Sequence, residues 1–473
     1  MHIRDFIMHI IHIISQFCSK IKVHFILLYF CVHSIILHVV IHDNQSQFLI
    51  WVISSDCETS SNEKQCRVPK RESLLWVLTG QIGGTWVYTD ETHLDKHGLL
   101  VHSSMYKNLR TNIPKELMQI PDFPFEDQDG PSFIHHSAIR LYILKYADHF
   151  NLYPYIKLNT LVKYVEPEVL ANGQTLWSLT YVDLKTQVEI TKTYDAMVLC
   201  NGHYTVGDVP HIPGIESFHG DCIHSHQYRL PEIYTGKKVC ILGGSWSGID
   251  IALEVAQYAD KVYLSHNLPE PINLSKFANI EQRSGVAFIQ GDLFTFLDDS
   301  FTKVDSFIYC TGYKFTYPFM SAKVDMRTDD NHVEPIYKYL VHMDYTNLFL
   351  MGLPALVIPF PMFHLEAQYI LGVLEGRIQL PSSQQMREKY ESEKKSLIDQ
   401  GIPIRHIYKL KDRQWAYYDE IAAAVNVPTF PPLVRKINDH VTKMRDTNIT
   451  EYKSYKYRII DSETFSVSCY KPC

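Results

Sequence analysis

Two glycine turns are the parts of this sequence best suited to chemistry. The run Val239-Cys240-Ile241-Leu242 is short, apolar and partly β-branched, and it meets Gly243-Gly244-Ser245-Trp246-Ser247-Gly248. Beyond the turn, Ile249, Ala252, Val255 and Ala256 recur at helical spacing. A strand, a glycine turn and a helix in that order aim backbone N–H groups and a helix N-terminus at an anion, usually the pyrophosphate of a dinucleotide. The pattern is GxSxxG, so Gly243, Ser245, Ser247 and Gly248 are candidate nucleotide contacts. Ser245 carries a Cβ that narrows the approach of a phosphate without closing it. A plain strand-to-helix turn has the same look, and the pattern by itself leaves both readings open. The next strand, Lys261 to Ser265, ends at Ser265-His266, where an acid would favour a free ribose 2′-hydroxyl and a cation a 2′-phosphate. These two residues suit the phosphate better. The second turn, Gly83-Gly84-Thr85-Trp86, permits positive φ and sets a large aromatic where it can pack beside a planar ring.

The elements that must position these turns follow from the chain on either side. Ser137 to Leu152 has the spacing of a core helix. Residues 156–165, 175–182 and 187–193 read as antiparallel strands, with Asn172-Gly173 as a hairpin turn. Buried strands ending in turns are expected at Ala196 to Tyr204 and at Asp305 to Tyr313, and Pro114 stands near a helix start that Asn112 could cap. A strand, a proline-kinked loop and a helix from about Phe363 to Glu375 follow, then a solvated helix over 381–399.

Composition bounds the function. At 473 residues the chain can bury two or three cores, and its net charge of −7 with a pI near 6.4 argues against nucleic acid as a partner. The ten cysteines include no CxxC pair and no set at zinc spacing, so they read as scattered reduced thiols and no metal site is expected.

Residues 1–78 differ from the rest. They contain neither glycine nor alanine, and seven histidines interrupt a background of Ile, Phe and Leu. Val23 to Ile41 has no Asp, Glu, Lys or Arg, which is long enough for a marginal membrane span that its histidines oppose. A signal peptide fits poorly, since no small-residue cleavage site follows. The reading favoured here is translated AT-rich non-coding sequence, because codons for Gly and Ala are not AT-rich.

Phe218-x-Gly220-x-x-x-His224-x-x-x-Tyr228, just before the Gly243 loop, resembles the fingerprint of flavin-containing monooxygenases. Local physics alone reads only a surface turn at Gly220 and an extended segment after it. The GGTW turn at residues 83–86, the block Tyr106 to Met118 with PDFPF after it, and Phe307 to Tyr313 (similar to F-x-x-ATGY, with Cys310 for Ala) resemble the family too, as does Asp412 to Asp419. The match runs from Thr79 to about Leu433. It implies an α/β fold of two Rossmann-like dinucleotide-binding domains, the NADP domain inserted into the FAD domain. The expected division is 1–78 outside the fold, 79–208 and 325–440 as two parts of the FAD domain, 209–324 as the NADP domain, and 441–473 as a polar tail.

The resemblance also implies cofactors and an activity. NADPH reduces FAD, dioxygen adds, and the flavin hydroperoxide passes one oxygen to a soft nitrogen or sulfur of a small amine or thioether, as in N,N-dimethylaniline monooxygenases. Asn112 is implied as the catalytic side chain near the hydroperoxide. Gly83, Gly84, Thr85, Trp86, Leu109, Thr311, Gly312 and Tyr313 are implied on the flavin side. Where the family commonly has an arginine after His266, Asn267 stands instead, which weakens the inference of a 2′-phosphate. A cytoplasmic protein is expected, with the endoplasmic reticulum membrane as the alternative; oligomeric state and membrane association stay open.

One part of the family pattern is missing. A first strand-GxGxxG-helix unit should hold the FAD pyrophosphate, and an acidic residue at position 77 should hold its ribose. Position 77 is Val77, and no glycine precedes Gly80. A second reading is therefore an NADP-binding remnant that cannot hold FAD. A disulfide reductase of related architecture is disfavoured by the absence of CxxC.

Overall fold

The computed structural model describes residues 50–56, 70–127 and 129–470. The apolar stretch 23–41 and the histidines before residue 50 lie outside them. In chain order the strands are β1 (Ile50–Asp56), β2 (Lys70–Val77), β3 (Ile156–Leu158), β4 (Thr160–Val169), β5 (Thr175–Asp183), β6 (Glu189–Tyr194) and β7 (Ala196–Leu199). Next come β8 (Asp221–His224), β9 (Lys238–Leu242), β10 (Lys261–Ser265), β11 (Ile280–Arg283), β12 (Val286–Gln290), β13 (Leu293–Phe296), β14 (Phe301–Lys303) and β15 (Ser306–Tyr309). The last are β16 (Ile336–Tyr337), β17 (Val341–His342), β18 (Leu348–Leu350), β19 (Tyr455–Ile459) and β20 (Phe465–Cys469). The helices are α1 (Lys115–Met118), α2 (His136–His149), α3 (Trp246–Val255), α4 (Pro359–Leu374), α5 (Ser383–Asp399), α6 (Arg413–Val425) and α7 (Pro432–Thr447).

Two sheets carry the architecture. The first has the order β16-β17-β18-β7-β1-β2-β3, and the second, β11-β10-β9-β15-β8, is parallel throughout. Every strand of the second sheet falls between β7 and β18, which are parallel neighbours in the first. One dinucleotide-type domain is thus inserted into another. Both residues of each crossing lie side by side: Asp208 N–H bonds Gly312 O at 2.8 Å and Lys314 N–H bonds Val206 O at 2.8 Å. Strands β7 and β15 are buried at all four positions, the continuous apolar run expected of a strand covered on both faces. In the inserted domain Ile251, Ala252 and Val255 of α3 pack on Val239, Ile241, Val262 and Leu264, while β12–β14 cover the opposite face.

Strands β1 and β2 fall inside the stretch that the sequence set apart from the fold, and by main-chain pairing they belong to the first sheet. That expectation is corrected to this extent, because main-chain pairing needs no glycine loop. The manner of pairing matters more. β1 runs antiparallel to both β7 and β2, with Ile50 opposite Leu199 and Asp56 opposite Lys70, whereas β2, β3, β7 and β18 share one direction.

The fingerprint around residue 224 turns out to be a staple between segments. A Cβ at Gly220 would lie 2.3 Å from Asp305 O, so a side chain there would part β8 from the sheet. Tyr228 OH donates to Glu254 Oε2 at 2.9 Å. Its neighbour Arg229, 5% exposed, donates to the carbonyls of Thr89, Glu91, Ser103, His226 and Tyr228 at 2.7–3.1 Å. Sequence reasoning missed Arg229, since a lone arginine gives no sign of being buried. Arg229→Met should leave all five carbonyls without that donor and cost on the order of 3–5 kcal/mol, read as a fall in denaturant midpoint. Arg229→Lys should recover little, because an ammonium cannot reproduce the planar fork.

Candidate cofactor site

The nucleotide turn forms as expected, and its glycines are required by contact rather than by habit. A Cβ on Gly248 would sit 1.8 Å from Gly243 O, and one on Gly243, at φ +128°, would sit 2.2 Å from Cys310 O. Ser245 is the N-cap of α3 with no side-chain capping bond, so the first N–H groups of the helix are left for an anion. Ser247 follows in the first turn of α3, partly exposed. These residues fit a nucleotide pyrophosphate.

At the end of β10 the assignments divide. Ser265 is fully buried and its hydroxyl donates to Ser284 O at 2.7 Å, so it is withdrawn as a nucleotide contact. A strand-end residue faces one side of the pleat or the other, and this one spends its hydroxyl on the carbonyl just past β11. His266 lies against the loop, 2.9 Å from where a Cβ on Gly244 would be. Both its ring nitrogens are engaged, Nδ1 by Leu268 N–H at 3.2 Å and Nε2 by Gln282 Oε1 at 3.0 Å. Asn267 Oδ1 accepts from Gly285 N–H at 3.0 Å.

On the flavin side, Gly83 (φ +133°) and Gly84 (φ +51°) lead a single helical turn, Gly84–Trp86. Its carbonyls are held: His102 Nε2 reaches Gly84 O at 3.1 Å, and Ser103 Oγ donates to Thr85 O at 3.1 Å. Burial lowers the pKa of His102 to about 4, so the ring is neutral and Nε2 can serve as a donor. Thr85 is buried and Trp86 half-buried against the larger core. Leu109 packs towards the core of the inserted domain, and its carbonyl accepts from His136 N–H at 3.0 Å.

Asn112 does not cap α1, whose N-cap is Pro114 without a side-chain bond. Instead the half-buried Asn112 accepts at Oδ1 from Tyr452 OH, 3.4 Å away. Thr311, Gly312 and Tyr313 lie at the domain crossing. The Thr311 hydroxyl donates to Asp208 O, Gly312 O receives His224 Nε2 at 3.0 Å, and the Tyr313 ring meets those of Tyr204 and His224 at 5.4 and 4.9 Å. These contacts hold the two crossings together.

FAD is the harder fit. Strands β2, β7 and β18 end at a common edge, followed by Gly83-Gly84, Asn201-Gly202 and Gly352, which is the edge where a doubly wound sheet receives its ligand. A pyrophosphate loop would have to leave that edge from the strand between β7 and β2. That strand is β1, and it meets the edge at its first residue, Ile50. Val77, where an acid would hold the ribose, is fully buried. Among the described residues, Gly83-Gly84 stand at this edge and no glycine loop follows β1 there.

Comparison with known proteins agrees with this frame. The Flavin-binding monooxygenase-like family matches residues 52–279 and 277–463, so the match extends well past Leu433, where the sequence suggested that it fades. Flavin-containing monooxygenase FMO GS-OX3 of Arabidopsis thaliana is 36% identical over 359 residues, covering 72% of this chain and 77% of that protein. S-allyl-L-cysteine S-oxygenase from Allium sativum superposes with a TM-score of 0.74 at 30% identity, over 80% of this chain and 89% of that one. Tmm from Pelagibacter sp. strain HTCC7211 superposes with a TM-score of 0.72 at 26% identity, over 84% and 88%. FAD and NADP are the cofactors of such enzymes, and the chain belongs to the flavin-binding monooxygenase-like family.

Proposed function

We propose that this protein is an NADPH-dependent monooxygenase that places one atom of dioxygen on a soft sulfur or nitrogen of a small molecule, with a thioether as the preferred substrate class. The observation that carries the reading is the junction itself. Tyr106, six residues before Asn112, donates to Asp250 Oδ2 on the nucleotide helix at 3.0 Å, so the candidate catalytic segment and the NADP loop are bound to each other. FAD supplies the activation of oxygen in enzymes of this kind; the chain's own residues orient and exclude. Gly83 to Trp86 would lie beside the ring, and the amide nitrogen of Asn112 is the donor on that side. The N-terminus of α3 would hold the NADP pyrophosphate. Sulfur is preferred because an Arabidopsis relative bears the GS-OX name and the garlic enzyme is an S-oxygenase. A cytoplasmic location is part of this proposal; no helix among the described residues is long and apolar enough to cross a membrane.

A second reading, NADP binding without retained FAD, is favoured by the direction of β1 and by Val77. The two are separated by supplying excess FAD, NADPH and either a thioether or a tertiary amine, then assaying sulfoxide or N-oxide. Sulfoxide formed in proportion to NADPH consumed supports the first. NADPH binding with neither product nor flavin-dependent consumption supports the second.

A further inference from the structure

The turn Tyr452–Ser454, between α7 and β19, sits where the nucleotide helix and the Asn112 segment meet. Lys453 Nζ bonds Asp250 Oδ2 of α3 at 2.5 Å and the carbonyl of Arg110 at 3.4 Å. Arg110 answers with a bond from Nη2 to Lys453 O at 2.8 Å. The side chains of Lys453 and Asp250 are only 17% and 18% exposed, so their attraction is weakly screened. Tyr452, 2% exposed, donates to Asn112 Oδ1. A further contact fastens the same piece of chain to the nucleotide loop, the Arg445 guanidinium lying 4.8 Å over the Trp246 ring.

A carboxamide can present either its oxygen or its nitrogen. With Oδ1 accepting from the Tyr452 phenol, Nδ2 is the group that faces away from Tyr452. We propose that Tyr452 and Lys453 are positioning residues: Tyr452 sets the orientation of the Asn112 amide, and Lys453 clamps the nucleotide helix to Arg110, so that binding at the Gly243–Gly248 loop is transmitted to Asn112. This rests on the NADP reading above, and the two can fail separately.

The test is amide hydrogen exchange on the full chain, with and without NADP+. In the unsubstituted protein NADP+ should slow exchange at residues 109–112 and 449–457 as well as in the loop. Lys453→Met should speed exchange at 246–250 and 109–112 together without nucleotide, and weaken NADP+ binding roughly tenfold, a typical coupling between linked sites. Lys453→Arg should restore most of the affinity. Tyr452→Phe should leave NADP+ affinity unchanged and raise the fraction of NADPH oxidised without product in flavin-loaded protein. Loosening confined to residues 449–457, or NADP+ protection confined to the loop, overturns the proposal. If the unsubstituted chain binds no NADP+, the nucleotide reading falls and the exchange comparison of Lys453→Met still decides the clamp; should that variant fail to fold, Lys453→Arg and the NADP+ footprint decide it.

Discussion

Purified as it stands, this chain should carry far less than one flavin per protein, whereas a chimaera with residues 1–78 replaced by a strand-GxGxxG-helix unit of the family should be yellow and should consume NADPH with a thioether. The FAD pyrophosphate carries two negative charges, and its usual ligands are several N–H groups around one glycine loop and a helix N-terminus. Here no glycine precedes Gly80, and β1 reaches the ligand edge at Ile50, running the wrong way. Each lost charge-assisted bond is worth about 1.5–3 kcal/mol, so a handful lowers affinity by several powers of ten. The Gly243 loop is intact, so NADP+ affinity should survive in both proteins. Flavin absorbance after gel filtration is the readout, and tight retention by the unsubstituted chain would refute this account of the missing loop.

The second large effect concerns Glu366, wholly buried on α4. Its Oε1 accepts from Tyr417 OH at 2.7 Å and its Oε2 from Gly352 N–H at 3.1 Å, and no lysine or arginine among the described residues pairs with it. Burial pushes the carboxyl from 4.5 up to about 8, against a smaller pull downward from those two bonds. The folded state therefore binds a proton that the unfolded state releases between those values. Stability from this group is complete below about pH 4.5 and is lost as pH rises through about 8, then stays level. Fully expressed, the difference is on the order of 5 kcal/mol. Glu366→Gln mimics the protonated form and should flatten that slope, making the variant the more stable protein at pH 9. Denaturant midpoints at pH 5.5, 7 and 9 check this, and parallel pH profiles for the two proteins would sink it.

Much of this site was legible in the sequence because turn chemistry is local. Gly243 and Gly248 could be placed from strand, glycine and helix spacing alone, whereas Gly312 read by itself only as a turn after a buried strand and the resemblance made it a domain crossing; contacts of 1.8–2.2 Å at a hypothetical Cβ show why the first two must be glycine. What could not be read depends on direction or on distance along the chain. Whether Ser265 faces ligand or core depends on the phase of the pleat where β10 ends. The partner of Asn112 lies 340 residues away, in a tail that looked merely polar. Nearest-neighbour logic gave Asn112 a capping role, but Pro114 took the cap, and the amide was free to be held by Tyr452. Arg229 was overlooked for the same reason, since its acceptors are spread from Thr89 to Tyr228.

The parallel pairing of β7 with β18, Met197 opposite Leu348, has a bearing on how the protein is made. A ribosome adds about 5–20 residues per second, so β18 emerges roughly 7–30 seconds after the strand it must join. In that interval the inserted domain, whose strands run from Asp221 to Tyr309, is complete and can close on itself. Assembly thus proceeds from the inside outward, with the enclosing sheet finished last. Until then β7, apolar along its whole length, has an open edge, and a nascent chain stalled soon after Tyr309 should expose a finished nucleotide domain beside an aggregation-prone strand.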